Sequence, residues 1–422
     1  MKKAFSPVLI LGLFLSLLAG FMSPALAEEQ VTLTFWTAYN TESPENKMLT
    51  ETLIPKFEAA NPGIKVQAVA FPYDELRRKL LTSVAGGTTP DLVRSDIIWV
   101  PEFANMGVLL RLDNKFADFK ALAAKTFPGP LSTNYWKGGY YGLPLDTNTR
   151  VLMWNKELFD KAGLKKAPAT FQDFLEAVAK LSKDTNGDGK NDVFGYAEGG
   201  TGGWNLLPWF WSNGGEITDK EITRASGYLN SKANVETLTM LVNMYKKGQM
   251  APSIMGSGLS TGDGFAKDKY AMFVDGPWMF PIFQGQYPDK KIYTALIPAG
   301  KGGKSISVTG GEDIVIFKAT KNPEAAWKFV KFMLSEEAQL KMAETGQMPV
   351  LSTLMESSYI KTHPYYGIFL EQLKTARART PHPAWTRIDE QFSTAVKLAL
   401  SGSKTPKQAL DDAAKAIDGL LK

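Results

Sequence analysis

The sequence predicts an α/β protein built on an open sheet. Two short segments, at 31–36 and 64–70, show the alternation of apolar and polar residues that is typical of strands, and a third short strand is predicted at 91–94. Two helical segments separate these strands, at 44–60 and 73–85. A strand–helix–strand–helix–strand order folds into neighbouring strands joined by helical crossovers, and this unit indicates the fold class.

Residues 1–27 have the organisation of a secretory signal peptide: Lys2 and Lys3, an apolar run from Val8 to Gly20, and small residues ending at Ala27. Thirteen apolar residues form a helix of roughly 20 Å, shorter than the ~30 Å core of a bilayer, which disfavours the alternative of a membrane anchor. The chain has no cysteine that could carry a lipid. We therefore expect an exported, periplasmic monomer that is not a lipoprotein.

The composition excludes several classes of function. The chain of 422 residues is long enough for two or three domains, and its formal net charge of +5 gives no indication of a nucleic-acid partner. The absence of cysteine excludes disulfides and cysteine-bound zinc. Only His363 and His382 could serve a histidine-dependent nucleophile or metal centre, and each directly precedes a proline in loop-like sequence. A glycosidase with two carboxylates stays open, because acidic residues are plentiful.

Ligands of open α/β sheets bind beyond the carboxyl ends of the strands. This rule indicates Trp36, Tyr39 and Asn40 after the first strand and Asp96 after the third. A structural role is equally open for each residue: the aromatic residues could pack in the core, and Asp96 could cap the next helix.

Several tryptophans lie in glycine- and proline-rich loops, and the clearest example is Trp278, which follows Gly276 and Pro277. A sugar presents an apolar face of C–H groups ringed by hydroxyls, so its site needs flat aromatic side chains flanked by polar ones. Trp278 suits that role. The alternative is a tryptophan buried beneath its loop.

Five segments in order carry a resemblance to a known family: FEAANPGIKV at 57–66, YGLP at 141–144, WNKELF at 154–159, GPW at 276–278 and KNPEAAWKF at 321–329. Over residues 30–422 the chain resembles the family 1 extracellular solute-binding proteins of ABC transporters, the family of the maltose-binding protein. The resemblance implies a two-lobed periplasmic binding protein fold of type II, with open α/β sheets joined by three hinge crossovers.

The resemblance also implies where the lobes meet. The crossovers are expected near Asp146, near Gly310 and around 347–349. The first lobe then comprises 28–146 with 311–348, and the second comprises 147–310 with 349–422.

Site residues follow from the same resemblance. Asp96 matches an aspartate that binds sugar hydroxyls, Trp278 matches the stacking tryptophan, and Asn148 stands where the maltose-binding protein has an acid. The chain departs from the pattern at Val93, where the relative has a tryptophan. The further candidates are Asp146, Trp204, Asn205, Gly311, Glu312, Trp385 and Arg387; for Glu312, Trp385 and Arg387 a structural role is equally open.

The implied function is the capture of an oligosaccharide in the cleft between the lobes and its delivery to a two-subunit ABC permease with its ATPase. Neither catalysis nor a cofactor is expected. The alternatives are a binding protein for glycerol phosphate or a polyamine and, from another class, a secreted glycosidase.

One motif is independent of the family. Residues 184–192 match the start of a calcium-binding loop, with a glycine at the sixth position. The expected ligands of a structural calcium ion are Asp184, Asn186, Asp188, the carbonyl of Lys190, and Asp192. The loop lacks the usual acid at its twelfth position, which is Gly195. A plain solvated turn is the alternative.

Overall fold

A computed structural model describes residues 1, 30–355 and 357–422. Apart from Met1, the predicted signal peptide lies outside the described residues, so its prediction is not tested. In the described part of the chain, no helix has both the length and the apolar character needed to cross a bilayer.

The strands of the described chain are β1 (Val31–Thr37), β2 (Ile64–Ala70), β3 (Leu92–Asp96), β4 (Tyr135–Trp136), β5 (Gly139–Tyr140), β6 (Gly142–Thr149), β7 (Val151–Trp154), β8 (Met272–Asp275), β9 (Tyr293–Ala295), β10 (Val308–Ile316) and β11 (Arg377–Ala378).

The α-helices are α1 (Pro44–Lys47), α2 (Ile54–Ala60), α3 (Tyr73–Gly86), α4 (Val100–Asn105), α5 (Leu112–Lys115), α6 (Phe119–Ala123), α7 (Pro128–Ser132), α8 (Lys156–Lys161), α9 (Phe171–Leu181), α10 (Gly203–Ser212), α11 (Lys232–Lys246), α12 (Thr261–Ala266), α13 (Met279–Gln286), α14 (Pro323–Met333), α15 (Glu336–Ala343), α16 (Ser352–Met355), α17 (Ser358–Thr362), α18 (Tyr366–Leu373), α19 (Trp385–Leu400) and α20 (Pro406–Leu420). A π-helical segment (Met48–Leu53) joins α1 to α2, and a 3₁₀ turn covers Pro252–Met255.

The main sheet contains the predicted strand–helix unit. Strand β1 lies between β2 and β3 and runs parallel to both. Strand β10 returns antiparallel to β3, and its other edge pairs with β6. The sheet order is therefore β11-β10-β3-β1-β2, with β6 along the second edge of β10.

The predicted helix at 44–60 is continuous but not regular. Ser43 caps its start by accepting a hydrogen bond from the backbone N–H of Asn46. Pro55 has no N–H to donate, and in a regular helix its ring would meet the carbonyl four residues earlier. The preceding turns widen to the π form, in which the Ile54 N–H donates to the Leu49 carbonyl five residues back.

Each face of the main sheet has its own core. Leu33 and Phe35 of β1 pack with α2 and α14 on one face, while Val93 of β3 packs with α3 and α4 on the other. Trp36 points to this second face and meets the ring of Phe71 edge-on at 5.1 Å. Strand β1 extends through Thr37, so Trp36 still lies inside the strand and does not reach beyond its end.

A second lobe is built around β7, which lies between β8 and β9 and is antiparallel to both. Its large core gathers side chains of α9, α10, α11, α19 and α20. A further cluster joins β7 and β8 to α18, and it includes Ala343 and Met348. Ala343 and Met348 belong to the predicted first lobe, which ended at residue 348, yet they pack with strands of the second lobe. The boundary between the lobes at this crossover therefore stays a prediction.

Trp385 is a core residue of the second lobe. Its side chain is 2% exposed and packs in the cluster that also holds Phe392 and Ile417. The prediction that Trp385 contacts a ligand is therefore corrected: it is the first residue of α19, and the apolar face of this helix turns inward.

We predict that Trp385→Ala lowers the free energy of unfolding by about 3–5 kcal/mol, because it leaves a large cavity in a packed core. Urea unfolding followed by circular dichroism measures the change. A loss below about 1 kcal/mol would contradict this placement.

Candidate functional site

A cleft of about 840 Å³ lies between the two lobes. One wall comes from the loop after β1, from α3 and from the end of β3; the other comes from the start of α10, the turn before α13, and α19. Strands β6 and β10 close its floor. The predicted residues that line the cleft are Tyr39, Asn40, Asp96, Asn148, Trp204, Asn205, Trp278, Gly311 and Glu312.

A buried guanidinium organises the floor. Arg94 Nη2 donates to Asp146 Oδ2 at 2.9 Å and to Glu312 Oε2 at 2.5 Å. Its guanidinium carbon lies 4.1 Å from the ring centre of Tyr39. Arg94 and Asp146 are about 95% buried. Because its hydrogen bonds go to Asp146 and Glu312, the guanidinium is occupied by partners of its own chain.

Burial governs the protonation of this cluster. Loss of solvent raises the pKa of Glu312 well above its usual range, and the nearby charge of Asp146 adds to the increase, whereas Arg94 opposes it. Burial likewise raises the pKa of Tyr39, which stays a neutral phenol at the edge of the cleft.

Asp96 lines the cleft with its carboxylate fully engaged. Oδ1 accepts hydrogen bonds from Arg379 Nη2 at 3.0 Å and from the Ile98 N–H at 2.9 Å, while Oδ2 accepts one from the Tyr73 hydroxyl at 2.7 Å. The guanidinium of Arg379 also lies 5.4 Å from the ring centre of Trp204. A ligand hydroxyl at Asp96 therefore meets an organised ion pair rather than a bare carboxylate.

Two tryptophans form the aromatic surface of the opposite wall. The rings of Trp204 and Trp278 are stacked, with centroids 6.2 Å apart and planes 29° from parallel. Both indoles are half-buried. The indole of Trp278 folds back over Gly276 so closely that a Cβ there would lie 2.1 Å from the ring. Glycine at 276 is thus required by this packing.

Gly310, on the floor of the cleft, likewise leaves room for the ring of Trp204. A Cβ at Gly310 would lie 2.6 Å from the Trp204 ring and 2.2 Å from Asn148 Oδ1. Asn148 and Trp204 therefore meet over the glycine. Asn148 Oδ1 is buried without a hydrogen-bond partner, although its residue lines the cleft.

Two further unpartnered acceptors lie at the same cleft. Gln347 Nε2 donates to Glu45 Oε1 at 3.3 Å, which leaves Gln347 Oε1 and Glu45 Oε2 buried and without partners. Both residues line the cleft. A buried acceptor without a donor costs about 1–3 kcal/mol, and the cost is removed when a ligand donates to it.

The cations at the cleft fall into two groups. Arg94 and Arg379 are paired with buried carboxylates, and Arg77 holds Glu102 through two nitrogens. Arg78 and Lys397 lie at the exposed rim. In the described chain, no cation on the floor is left for an anionic ligand.

Four of the predicted site residues do not line the cleft in the structure. Trp36 packs against Phe71, and Trp385 lies in the core, as described above. Arg387 is exposed on α19 but does not line the cleft, because the residues of that helix that do so are Thr386, Asp389, Glu390, Ser393, Thr394 and Lys397. Asp146 lies beneath the floor and acts through Arg94.

Several lining residues were missed by the sequence reasoning, namely Glu45, Tyr73, Gln347, Arg379 and Asp389. Asp389 accepts a hydrogen bond from the Gly203 N–H, and burial raises the pKa of its carboxyl group. The position of Gln347 in a predicted crossover could have indicated it. Arg379 carries no comparable signal, since only the fold brings it to Asp96.

The predicted calcium loop is exposed, and hydrogen bonds between its own residues stabilise it. Both oxygens of the Asp184 carboxylate accept backbone N–H groups, from Gly187 and Gly189, and these lower its pKa. Asn186 Oδ1 accepts from the N–H of Asp188, whose own Oδ1 accepts from the N–H of Lys190. Over residues 30–355 and 357–422, no group of three or more acidic or histidine side chains is arranged to hold a metal. Calcium in this loop stays a prediction.

The sequence profile described as bacterial extracellular solute-binding protein matches residues 41–340. The galactooligosaccharide-binding protein of Bacillus subtilis is 24% identical over 366 residues, which cover 85% of this chain and 83% of that protein.

Two solved structures share the fold, each with a TM-score of 0.83. An ABC transporter solute-binding protein from Thermotoga lettingae, bound to α-D-tagatose, is 29% identical and covers 93% of this chain and 100% of its own. An ABC substrate-binding protein from Listeria monocytogenes, in complex with cycloalternan, is 25% identical and covers 93% of this chain and 99% of its own. Since the profile spans most of the sequence and the two-lobed architecture agrees, this chain belongs to the bacterial extracellular solute-binding protein family.

Proposed function

We propose that this protein binds an oligosaccharide in the cleft between its lobes, in the periplasm, and delivers it to the permease and ATPase of an ABC importer. The observation that carries the proposal is the stacked pair Trp204 and Trp278 on the wall of the cleft. Two half-buried indoles present a flat apolar surface of the kind that packs against the C–H face of a sugar ring.

The polar groups favour a ligand that donates hydrogen bonds. The unpartnered oxygens of Glu45, Asn148 and Gln347 are all acceptors, and they belong to residues that line the cleft although the oxygens themselves are buried. Sugar hydroxyls are suitable donors for such oxygens where a side chain turns toward the ligand. A phosphate group has few donors and requires free cations, whereas Arg94 and Arg379 are already ion-paired. Glycerol phosphate is therefore the weaker candidate.

A polyamine is also disfavoured. Its ammonium groups would need several free carboxylates or an aromatic cage. Asp96 and Glu312 are held by Arg379 and Arg94, and Asp389 is held by a backbone N–H. Asp74 and Glu390 lie at the exposed rim of the cleft. Deeper in the cleft Glu45 Oε2 is an unpartnered carboxylate oxygen, and one such group does not neutralise a polycation.

The relatives support a sugar ligand. The Bacillus subtilis protein is named for galactooligosaccharides, and the two structures contain tagatose and cycloalternan. Within the family this chain acts as a binding protein rather than an enzyme, as a monomer and without a required cofactor. Closure of the lobes by a hinge motion at β6 and β10 would bring both walls onto the sugar.

A thermal-shift panel tests the proposal. The arms are malto- and galactooligosaccharides, glycerol phosphate and spermidine. A sugar at 100 times its dissociation constant adds about 2.7 kcal/mol of stability and raises the melting temperature. Stabilisation by glycerol phosphate or spermidine alone would contradict the proposal, as would chromatographic detection of cleaved sugar.

We predict that Gly276→Ala weakens sugar binding about 10-fold or more, because the new Cβ displaces the indole of Trp278. Gly285→Ala is the matched control, since a Cβ there has no neighbour within 4 Å. Calorimetric titration compares the two variants. Equal affinity for both would show that the position of Trp278 does not matter to binding.

We also propose a structural calcium ion in the loop of residues 184–192, supported by the spacing of its oxygen side chains. Chelation of metal-loaded protein is expected to lower its melting temperature, because a bound ion stabilises only the folded state. Asp184→Ala combined with Asp188→Ala should remove this response and leave sugar affinity unchanged. If the chelator has no effect on the wild type, the loop is a plain turn.

A further inference from the structure

Arg150 lies at the junction between the hinge strand β6 and the second-lobe strand β7. Its side chain is 2% exposed and forms an ion pair of 2.8 Å with Glu198, which is completely buried. Arg150 does not line the cleft. A charge pair this deep loses the solvation of both ions, so extra hydrogen bonds are needed to make it tolerable.

Those hydrogen bonds go to the two segments that carry the aromatic wall. Nη1 of Arg150 donates to the carbonyl oxygens of Trp204 at 3.2 Å and Asn205 at 2.9 Å, in the first turn of α10. Nη2 donates to the carbonyl of Val274 in β8, four residues before Trp278. One guanidinium thus joins the helix turn that carries Trp204 to the strand that leads to Trp278.

The partner of Arg150 is itself fixed. The Tyr196 hydroxyl donates to Glu198 Oε2 at 2.5 Å, and the Gly199 N–H donates to Oε1 at 2.9 Å. Trp209 Nε1 in turn donates to the Tyr196 hydroxyl at 3.1 Å. Glu198 therefore holds the guanidinium in one place, relative to the core of the second lobe.

We propose that Arg150 is a positioning residue for ligand binding, which sets the spacing and tilt of Trp204 and Trp278 from beneath. The inference rests on the proposed function, because its value to the protein lies in presenting both indoles ready for a sugar. A site held ready by a buried second layer of hydrogen bonds loses less freedom when the ligand binds.

The role requires arginine rather than any cation. The planar guanidinium has five N–H donors in a fixed fork, which can serve one carboxylate and three carbonyl oxygens at once. Lysine keeps the charge opposite Glu198, but its single ammonium group has three donors at one point. Arg150→Lys therefore separates charge pairing from the positioning of the two backbones.

The test compares Arg150→Lys, Arg150→Met and a matched core variant, Ile417→Ala. Ile417 is completely buried in the same second-lobe core but lies on α20, away from the cleft. Three quantities are measured on each protein: the melting temperature, the exciton couplet of the tryptophan pair in circular dichroism without ligand, and the calorimetric affinity for the oligosaccharide found by the panel. Trp278→Ala identifies the part of the couplet that comes from this pair.

We expect both Arg150 variants to lose that part of the couplet and to bind the sugar about 10-fold more weakly or worse. Ile417→Ala should lower the melting temperature while it keeps both the couplet and the affinity. If Arg150→Met does not fold, Arg150→Lys alone decides.

An Arg150 variant that keeps the couplet and the affinity, with only a lower melting temperature, would overturn the proposal and leave Arg150 a structural residue. The couplet is read without ligand. A wild type that binds no sugar would refute the proposed function, whereas an unchanged couplet in the variants would refute the positioning role by itself.

Discussion

The antiparallel pairing of β6 with β10 is the constraint on which the rest of the site depends. These strands pass between the lobes and form the floor of the cleft, with Asn148 and Gly310 opposite each other in register. Their residues decide what each lobe can place against the floor. Because Gly310 has no side chain, Trp204 packs directly on the floor beside Asn148. A larger residue in β10 would separate the floor from the aromatic wall.

The two buried arginines of the cleft are neutralised by carboxylates of the chain itself, and this shapes what the cleft can select. Arg94 bridges Asp146 and Glu312, and Arg379 holds Asp96. What is left for a ligand is a flat aromatic surface and several acceptor oxygens. Such a surface matches a neutral molecule with many hydroxyls better than an anion or a polycation. Selectivity for a neutral ligand would then come from the pairing of charged side chains within the cleft as much as from direct contacts with the ligand.

Local patterns in the sequence were enough to predict the first half of the main sheet. Strand β2 begins and ends at the predicted residues, and β1 is one residue longer than predicted, which keeps Trp36 within the sheet. The π-helical widening at Pro55 could not be read from periodicity, because the helix continues through it. Trp385 shows the main limit: it lies at the start of a helix, as Trp204 does, yet Trp385 fills the core while Trp204 lines the cleft. Arg379 and Arg150 act through partners more than 40 residues away in the sequence. No spacing rule brings such partners together.

The central claim is that a sugar ring rests on the paired tryptophans, and calorimetric titration of Trp278→Ala tests it most directly. The indole is half-buried and packs at the edge of the core, so its loss should weaken sugar binding by about 2–4 kcal/mol. The free energy of unfolding without ligand should change much less than in Trp385→Ala. Unchanged affinity, or a loss of apo stability of about 3–5 kcal/mol as expected for a core tryptophan, would contradict the account.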